Sequence, residues 1–108
     1  MSDVFDELYK VILERKADQP EGSYTAYLFA QGLDKILKKC GEECAEVIIA
    51  AKNGERRELT GEIGDLLYHL LVLMAETGVP LHELYGLLEE RRKKIGNLKP
   101  ATQSEKDS

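Results

Sequence analysis

Apolar residues recur every three or four positions along most of this chain, and no stretch alternates as a strand would; glycine or proline stands where the recurrence breaks. The pattern predicts an all-α fold. Val4, Phe5, Leu8, Val11 and Ile12 mark a first amphipathic helix over about residues 3–16, ended by Asp18 to Gly22 around Pro20. Ser23 is placed to cap a short helix ending near Gly32. Leu33, Ile36, Leu37, Cys40, Cys44, Val47, Ile48 and Ala51 form one long apolar stripe, stopped at Asn53-Gly54. Leu59, Ile63, Leu66, Leu67, Leu70, Leu73 and Met74 form a second, stopped at Gly78 before Pro80. Two antiparallel helices joined by a tight turn follow. A fifth helix runs from about Leu81 to Ile95 and closes on the basic run Arg91 to Lys94, which suits the negative end of a helix dipole. Leu71 and Val72 fall off that stripe and Leu67 and Met74 stand at its margin, so a second copy of the chain is expected to cover them and complete the bundle.

Length and charge narrow what such a bundle does. With 108 residues the chain is sized for one domain, expected over 1–95, while the polar composition of 96–108 reads as a mobile tail. A net charge of −5 opposes non-specific binding to polymeric nucleic acid or to an anionic membrane, so an anionic substrate needs a local cation. No apolar run approaches the roughly 20 residues that span a bilayer, and the acid-containing amphipathic N-terminus is unlike a signal peptide. A cytoplasmic location is expected. Cys40 and Cys44 then read as reduced packing residues, and with only His69 and His82 beside them they make no structural zinc spacing.

The two long helices carry the chemistry. Glu42, Glu43 and Glu46 lie on the first and Glu62 and Asp65 on the second, as an ExxE preceded by Glu and an ExxD. Residues three apart on a helix lie about 60° apart in azimuth and about 4.5 Å along the axis, so each pair can aim its oxygens at one point. Taken from Cys40, Glu43 and Glu46 fall about 60° and 120° to one side; taken from Leu66, Glu62 and Asp65 fall about 40° and 100° in the same sense. Antiparallel packing brings equal-handed flanks together, so the carboxylates converge along one edge of the hairpin. Such mutual repulsion needs an offset, and Mg²⁺, with Mn²⁺ as a substitute, favours a site of carboxylate oxygens that bridges to substrate phosphates. A di-iron bundle would require Glu-x-x-His, and the chain offers Asp65 and His69 four apart instead.

The plainer reading of an acidic pair is a solvated helix face. The apolar surroundings of Glu62 and Asp65 argue against it. Glu43, Glu46, Glu62 and Asp65 are the expected metal ligands, and all five carboxylates are candidates for catalysis, one of them accepting a proton from the attacking water. Glu42, furthest from the apolar stripe, fits that role or an outer supporting one. Lys39, one turn from Glu42 and Glu43, is the preferred cation for a polyphosphate. His69 reads as a packed residue at the core edge that can orient Asp65.

Ser23-Tyr24-Thr25, Gly32, Lys35-Ile36, Lys39, Gly41-Glu42-Glu43, Glu46, Ala50-Ala51, Glu62, Asp65-Leu66 and the run Tyr68 to Leu73 together resemble the phosphoribosyl-ATP pyrophosphatase family, from Val4 to about Lys94. The carboxylate motif alone is shared with the wider all-α, MazG-like pyrophosphohydrolases; Ser23-Tyr24-Thr25 and the YHLLVL run narrow the match. The resemblance implies Mg²⁺-dependent hydrolysis of phosphoribosyl-ATP to phosphoribosyl-AMP and pyrophosphate, the second step of histidine biosynthesis, by a homodimer. It implies substrate contacts at Ser23, Tyr24, Thr25, Lys35 and Lys39, and a separate cyclohydrolase for the next step, since 108 residues leave no room for a fused one. The alternatives are a house-cleaning nucleoside triphosphate pyrophosphohydrolase and a non-catalytic helical dimerisation module. Cys40 and Cys44 depart from the aliphatic and small residues frequent in the family, which alters packing and no metal ligand.

Overall fold

The computed structural model describes residues 3–96, which form five α-helices and, among the described residues, no strand. They are α1 Asp3–Ala17, α2 Tyr24–Gln31, α3 Leu33–Asn53, α4 Arg56–Thr77 and α5 Leu81–Gly96. The boundaries have local causes. Ser23, in extended conformation, caps α2 by accepting a hydrogen bond from the Ala26 N–H at 3.1 Å. Gly54 and Gly78 take left-handed conformations at φ 74° and 80°, closing α3 and α4 where side chains with a Cβ would be strained. Helix α5 runs through Gly96, one residue into the segment expected to be tail; residues 97–108 lie outside the described residues.

The α3–α4 hairpin is the spine, with α1 and α2 packed against it. Its core gathers Ile12 from α1, Leu28 and Phe29 from α2, Ile36 and Cys40 from α3, and Leu71, Val72 and Ala75 from α4. Tyr9 donates to the Val79 carbonyl at 2.8 Å and Lys16 to the Ala75 carbonyl at 3.0 Å, so α1 is tied to the C-terminal end of α4. Leu81 seats the start of α5, while Leu87, Leu88 and Ile95 further along it are exposed. No described helix is long and apolar enough to cross a membrane.

The inward faces differ from the expected stripes. On α3 the buried positions are Ile36, Cys40, Glu43 and Ala50, while Leu33, Leu37, Cys44, Ile48 and Ala51 are exposed. On α4, Leu71 and Val72 lie in the core of the single chain, and the positions left for a partner are Ile63, Leu67 and Leu70. Cys44 is therefore exposed and does not pack inside the chain as Cys40 does. The physical reason is excess. Both helices carry more apolar residues than one face can bury, so composition leaves open which face turns inward.

Candidate metal centre

Three carboxylates converge where α3 and α4 cross. One oxygen from each of Glu43, Glu62 and Asp65 lies within 4.8 Å of the others, the one such group of three His, Cys, Asp or Glu side chains among the described residues. Glu43 is only 6% exposed because it stands on the inward face of α3, one turn past Cys40. Its Oε1 and the Oε1 of Glu62 are both buried without a hydrogen-bond partner. Unpartnered buried carboxylate oxygens are costly, and here both belong to carboxylates that come together between two helices. Burial raises the Glu62 carboxyl above its ordinary value, and the neighbouring Glu46, Asp65, Glu43 and Glu58 carboxylates raise it further.

This donor set fits a hard divalent cation. All three groups offer oxygen, and a span within 4.8 Å is one that small side-chain rotations can close onto a single hard cation. Glu46, one turn beyond Glu43, stands outside the tight trio and is exposed, yet near enough to act on Glu62. Glu42 stands outside the trio but beside it, in an ion pair with Lys39 at 3.2 Å, and the same Lys39 Nζ lies 3.8 Å from Glu43. The hydrogen bond to Glu42 raises the Lys39 ammonium above its ordinary value, so a fixed positive charge sits at the edge of the acidic group.

The other expected site residues gather on one side of this centre. Lys35 stands 5.9 Å from the centroid of the Tyr27 ring, a cation over an aromatic face. Tyr27 in turn stacks on Tyr24 with centroids 6.1 Å apart, and both rings are 45% exposed. The three hydroxyls of Ser23-Tyr24-Thr25 already have partners within the chain: Ser23 caps α2, Tyr24 bonds His69 at 2.9 Å, and Thr25 bonds the Tyr68 hydroxyl. A groove of about 480 Å³ between Asp6, Tyr9, Lys10, Leu13, Glu14, Ala17 and Leu81 shares no residue with the carboxylate group. It is apolar and open, and the chemistry lies elsewhere.

A family described as phosphoribosyl-ATP pyrophosphohydrolase matches residues 5–92, which include every carboxylate of the site. The chain belongs to this family. A phosphoribosyl-ATP pyrophosphatase of Clostridium novyi (strain NT) is 55% identical over 98 residues, covering 91% of this chain and 89% of the relative. The pyrophosphatase of the same name from Pelotomaculum thermopropionicum is 59% identical over 92 residues, 85% of this chain and 94% of its own. The histidine biosynthesis bifunctional protein HisIE of Bacillus subtilis (strain 168) is 55% identical over 92 residues, which make up 85% of this chain and 44% of the relative.

Two aromatic residues beside Tyr24 were not among the expected site residues: Tyr27, and Tyr68, which enters the sequence reading only as part of the YHLLVL run. The signal for Tyr68 was its place three residues after Asp65, which puts it on the adjoining flank of α4. Tyr27 carried none beyond its spacing of three from Tyr24.

Proposed function

We propose that this chain hydrolyses phosphoribosyl-ATP to phosphoribosyl-AMP and pyrophosphate, acting in the cytoplasm at the second step of histidine biosynthesis, with a cyclohydrolase acting next. The observation that carries this reading is the coincidence of the family match with three convergent carboxylates whose buried oxygens lack partners. Glu43, Glu62 and Asp65 would hold Mg²⁺ or Mn²⁺ between them, with Glu46 near enough on the next turn of α3 to contribute. When bound, the ion supplies Lewis-acid neutralisation of phosphate charge and lowers the pKa of a coordinated water.

The chain's own residues then bind, orient and move a proton. Lys39 turns its ammonium from Glu42 toward a phosphate oxygen, whose negative charge takes the place of the Glu42 carboxylate beside it. Glu42, 47% exposed at its side chain and released by that turn, takes the proton of the attacking water. The water oxygen bonds to one of the two phosphorus atoms that share the α–β bridge, the bond from that phosphorus to the bridging oxygen breaks, and the departing phosphate keeps the electron pair. Lys35, with the Tyr24 and Tyr27 rings, offers a cation and apolar faces to the rest of the nucleotide. Two copies of the chain assemble by covering the apolar edge formed by Leu33, Leu37 and Ile48 of α3 with Ile63, Leu67 and Leu70 of α4.

The test is pyrophosphate release from phosphoribosyl-ATP, ATP and dUTP, each with Mg²⁺ and with a chelator. Release from phosphoribosyl-ATP alone, abolished by chelation, is the expected result. Preference for ATP or dUTP assigns the chain to the house-cleaning hydrolases instead, and no release from any of the three leaves a dimerisation module.

A further inference from the structure

His69 is one of two polar side chains classed as buried among the described residues, at 5% exposure, and the hydrolysis described above does not use it. Its surroundings are specific. Nδ1 lies 2.7 Å from the backbone carbonyl oxygen of Asp65, an atom that only accepts, so Nδ1 carries the proton. The Nε2 of the neutral ring is then a lone pair, and the Tyr24 hydroxyl donates to it at 2.9 Å. The Cys40 thiol donates to the His69 carbonyl at 3.5 Å, and the Tyr24 and Tyr68 rings meet the imidazole edge-on at 5.7 and 4.9 Å. A second tie between the same two helices, Thr25 to Tyr68, stands beside the first.

One end of this chain of bonds is a tyrosine whose ring is half exposed on α2, and the other is the turn of α4 that carries Asp65. Aspartate has one rotor fewer than glutamate, so its carboxylate stays within shorter reach of its own backbone, and a bond to the Asp65 carbonyl steadies the turn from which that carboxylate projects. Packing alone does not require such a path, since an apolar side chain would fill the same volume with no polar group to satisfy.

We propose that Tyr24 and His69 are positioning residues that set the Asp65 carboxylate against Glu43 and Glu62, so that the seating of α2 governs the affinity of the site for a divalent cation. The proposal rests on the reading of those three carboxylates as a metal site. Its logic is that of outer partners which orient metal ligands, whose loss costs about 10- to 100-fold in metal affinity or activity.

The test is Mn²⁺ binding to the full, nucleotide-free chain followed by electron paramagnetic resonance, with melting temperatures in chelator as the fold control. Tyr24→Phe, which keeps the ring and removes the donor, is expected to weaken Mn²⁺ binding by about 10-fold. His69→Leu is expected to do at least as much, and His69→Asn, whose amide can still donate to the Asp65 carbonyl, to recover most of that loss. In turnover, Tyr24→Phe is expected to lower kcat and raise the Mn²⁺ requirement while KM for the nucleotide stays within about twofold. Nitrogen-15 imidazole spectra of the metal-free protein should show the Nδ1–H tautomer. Unchanged Mn²⁺ affinity in Tyr24→Phe overturns the proposal even if His69→Leu fails to fold, and so does an Nε2–H tautomer. A wild-type chain that binds no Mn²⁺ removes the metal site itself, and wild-type binding with indifferent variants removes only the positioning role.

Discussion

Glu43 shows how a single side chain is held at a cost that something else must offset. It occupies a position on α3 that, by burial, belongs to the core between Cys40 and Ala50, and one of its oxygens has no partner there. Replacing it with glutamine keeps the shape and removes the charge, as does Glu62→Gln or Asp65→Asn. Each variant is expected to lose at least about 100-fold in pyrophosphate release, the scale on which a single preorganised electrostatic contact acts. In chelator, Glu43→Gln and Glu62→Gln are expected to melt above the wild type, because the amide relieves repulsion within the group. Wild-type turnover in all three would refute the assignment of the centre, whatever the melting temperatures. The convergence itself was legible in the sequence, since spacings of three on two antiparallel helices admit few other outcomes. The depth of Glu43 was not: taking Cys40 as the centre of the apolar face placed Glu43 on its flank, whereas the face that turns inward includes it.

Helix α1 is tied to the C-terminal end of α4 by identifiable bonds, and that makes its contribution measurable. The Tyr9 hydroxyl reaches past the end of α4 to the Val79 carbonyl, and Tyr9→Phe leaves that acceptor without its donor. A loss of about 1 kcal/mol in urea unfolding is expected. Burial also raises the Tyr9 hydroxyl above its ordinary value of 10.0, so the folded chain keeps this proton more tightly than the unfolded one. The stability from that shift is fully present below pH 10 and is lost as pH rises through the raised value. Wild-type stability should therefore fall above pH 10, and fall less steeply in Tyr9→Phe; burial also raises Tyr24 and Tyr68, whose share of the decline persists. Parallel curves for the two proteins would contradict this account of α1. The extent of each helix was largely written in its caps, Ser23 before α2 and Gly54 and Gly78 after α3 and α4. The bonds of Tyr9 and Lys16 were not, because they join residues 70 and 59 positions apart and depend on how whole helices dock.

At the scale of the whole molecule the described residues form an elongated bundle. Its radius of gyration is 16.3 Å and its extents are 52 × 34 × 26 Å, against about 13 Å for a compact domain of 100 residues. The apolar residues it leaves outside are also arranged. Taken from Ile36 at 100° per residue, Leu33, Leu37, Cys44, Ile48 and Ala51 fall about 60° to 120° to one side of the inward face of α3, while Glu42 and Glu46 fall on the other. Taken from Leu66, Ile63, Leu67 and Leu70 of α4 fall about 40° to 100° in the sense opposite to Glu62 and Asp65. The hairpin thus has an acidic edge and an apolar edge. Ile48 at 64% exposed and Leu67 at 40% lie on the apolar one, and a two-fold contact there buries it without covering the carboxylates. Light scattering at low micromolar concentration is expected to give twice the 12.2 kDa of one chain. Ile48→Glu or Leu67→Glu should shift that mass toward one chain and lower the melting temperature, because either buries a charge at the centre of the contact. Retention of the dimer in both variants would move the contact to another face, such as the exposed Leu87, Leu88 and Ile95 of α5. A folded, fully active wild-type monomer would show that 108 residues suffice alone and that the apolar edge has no partner to meet.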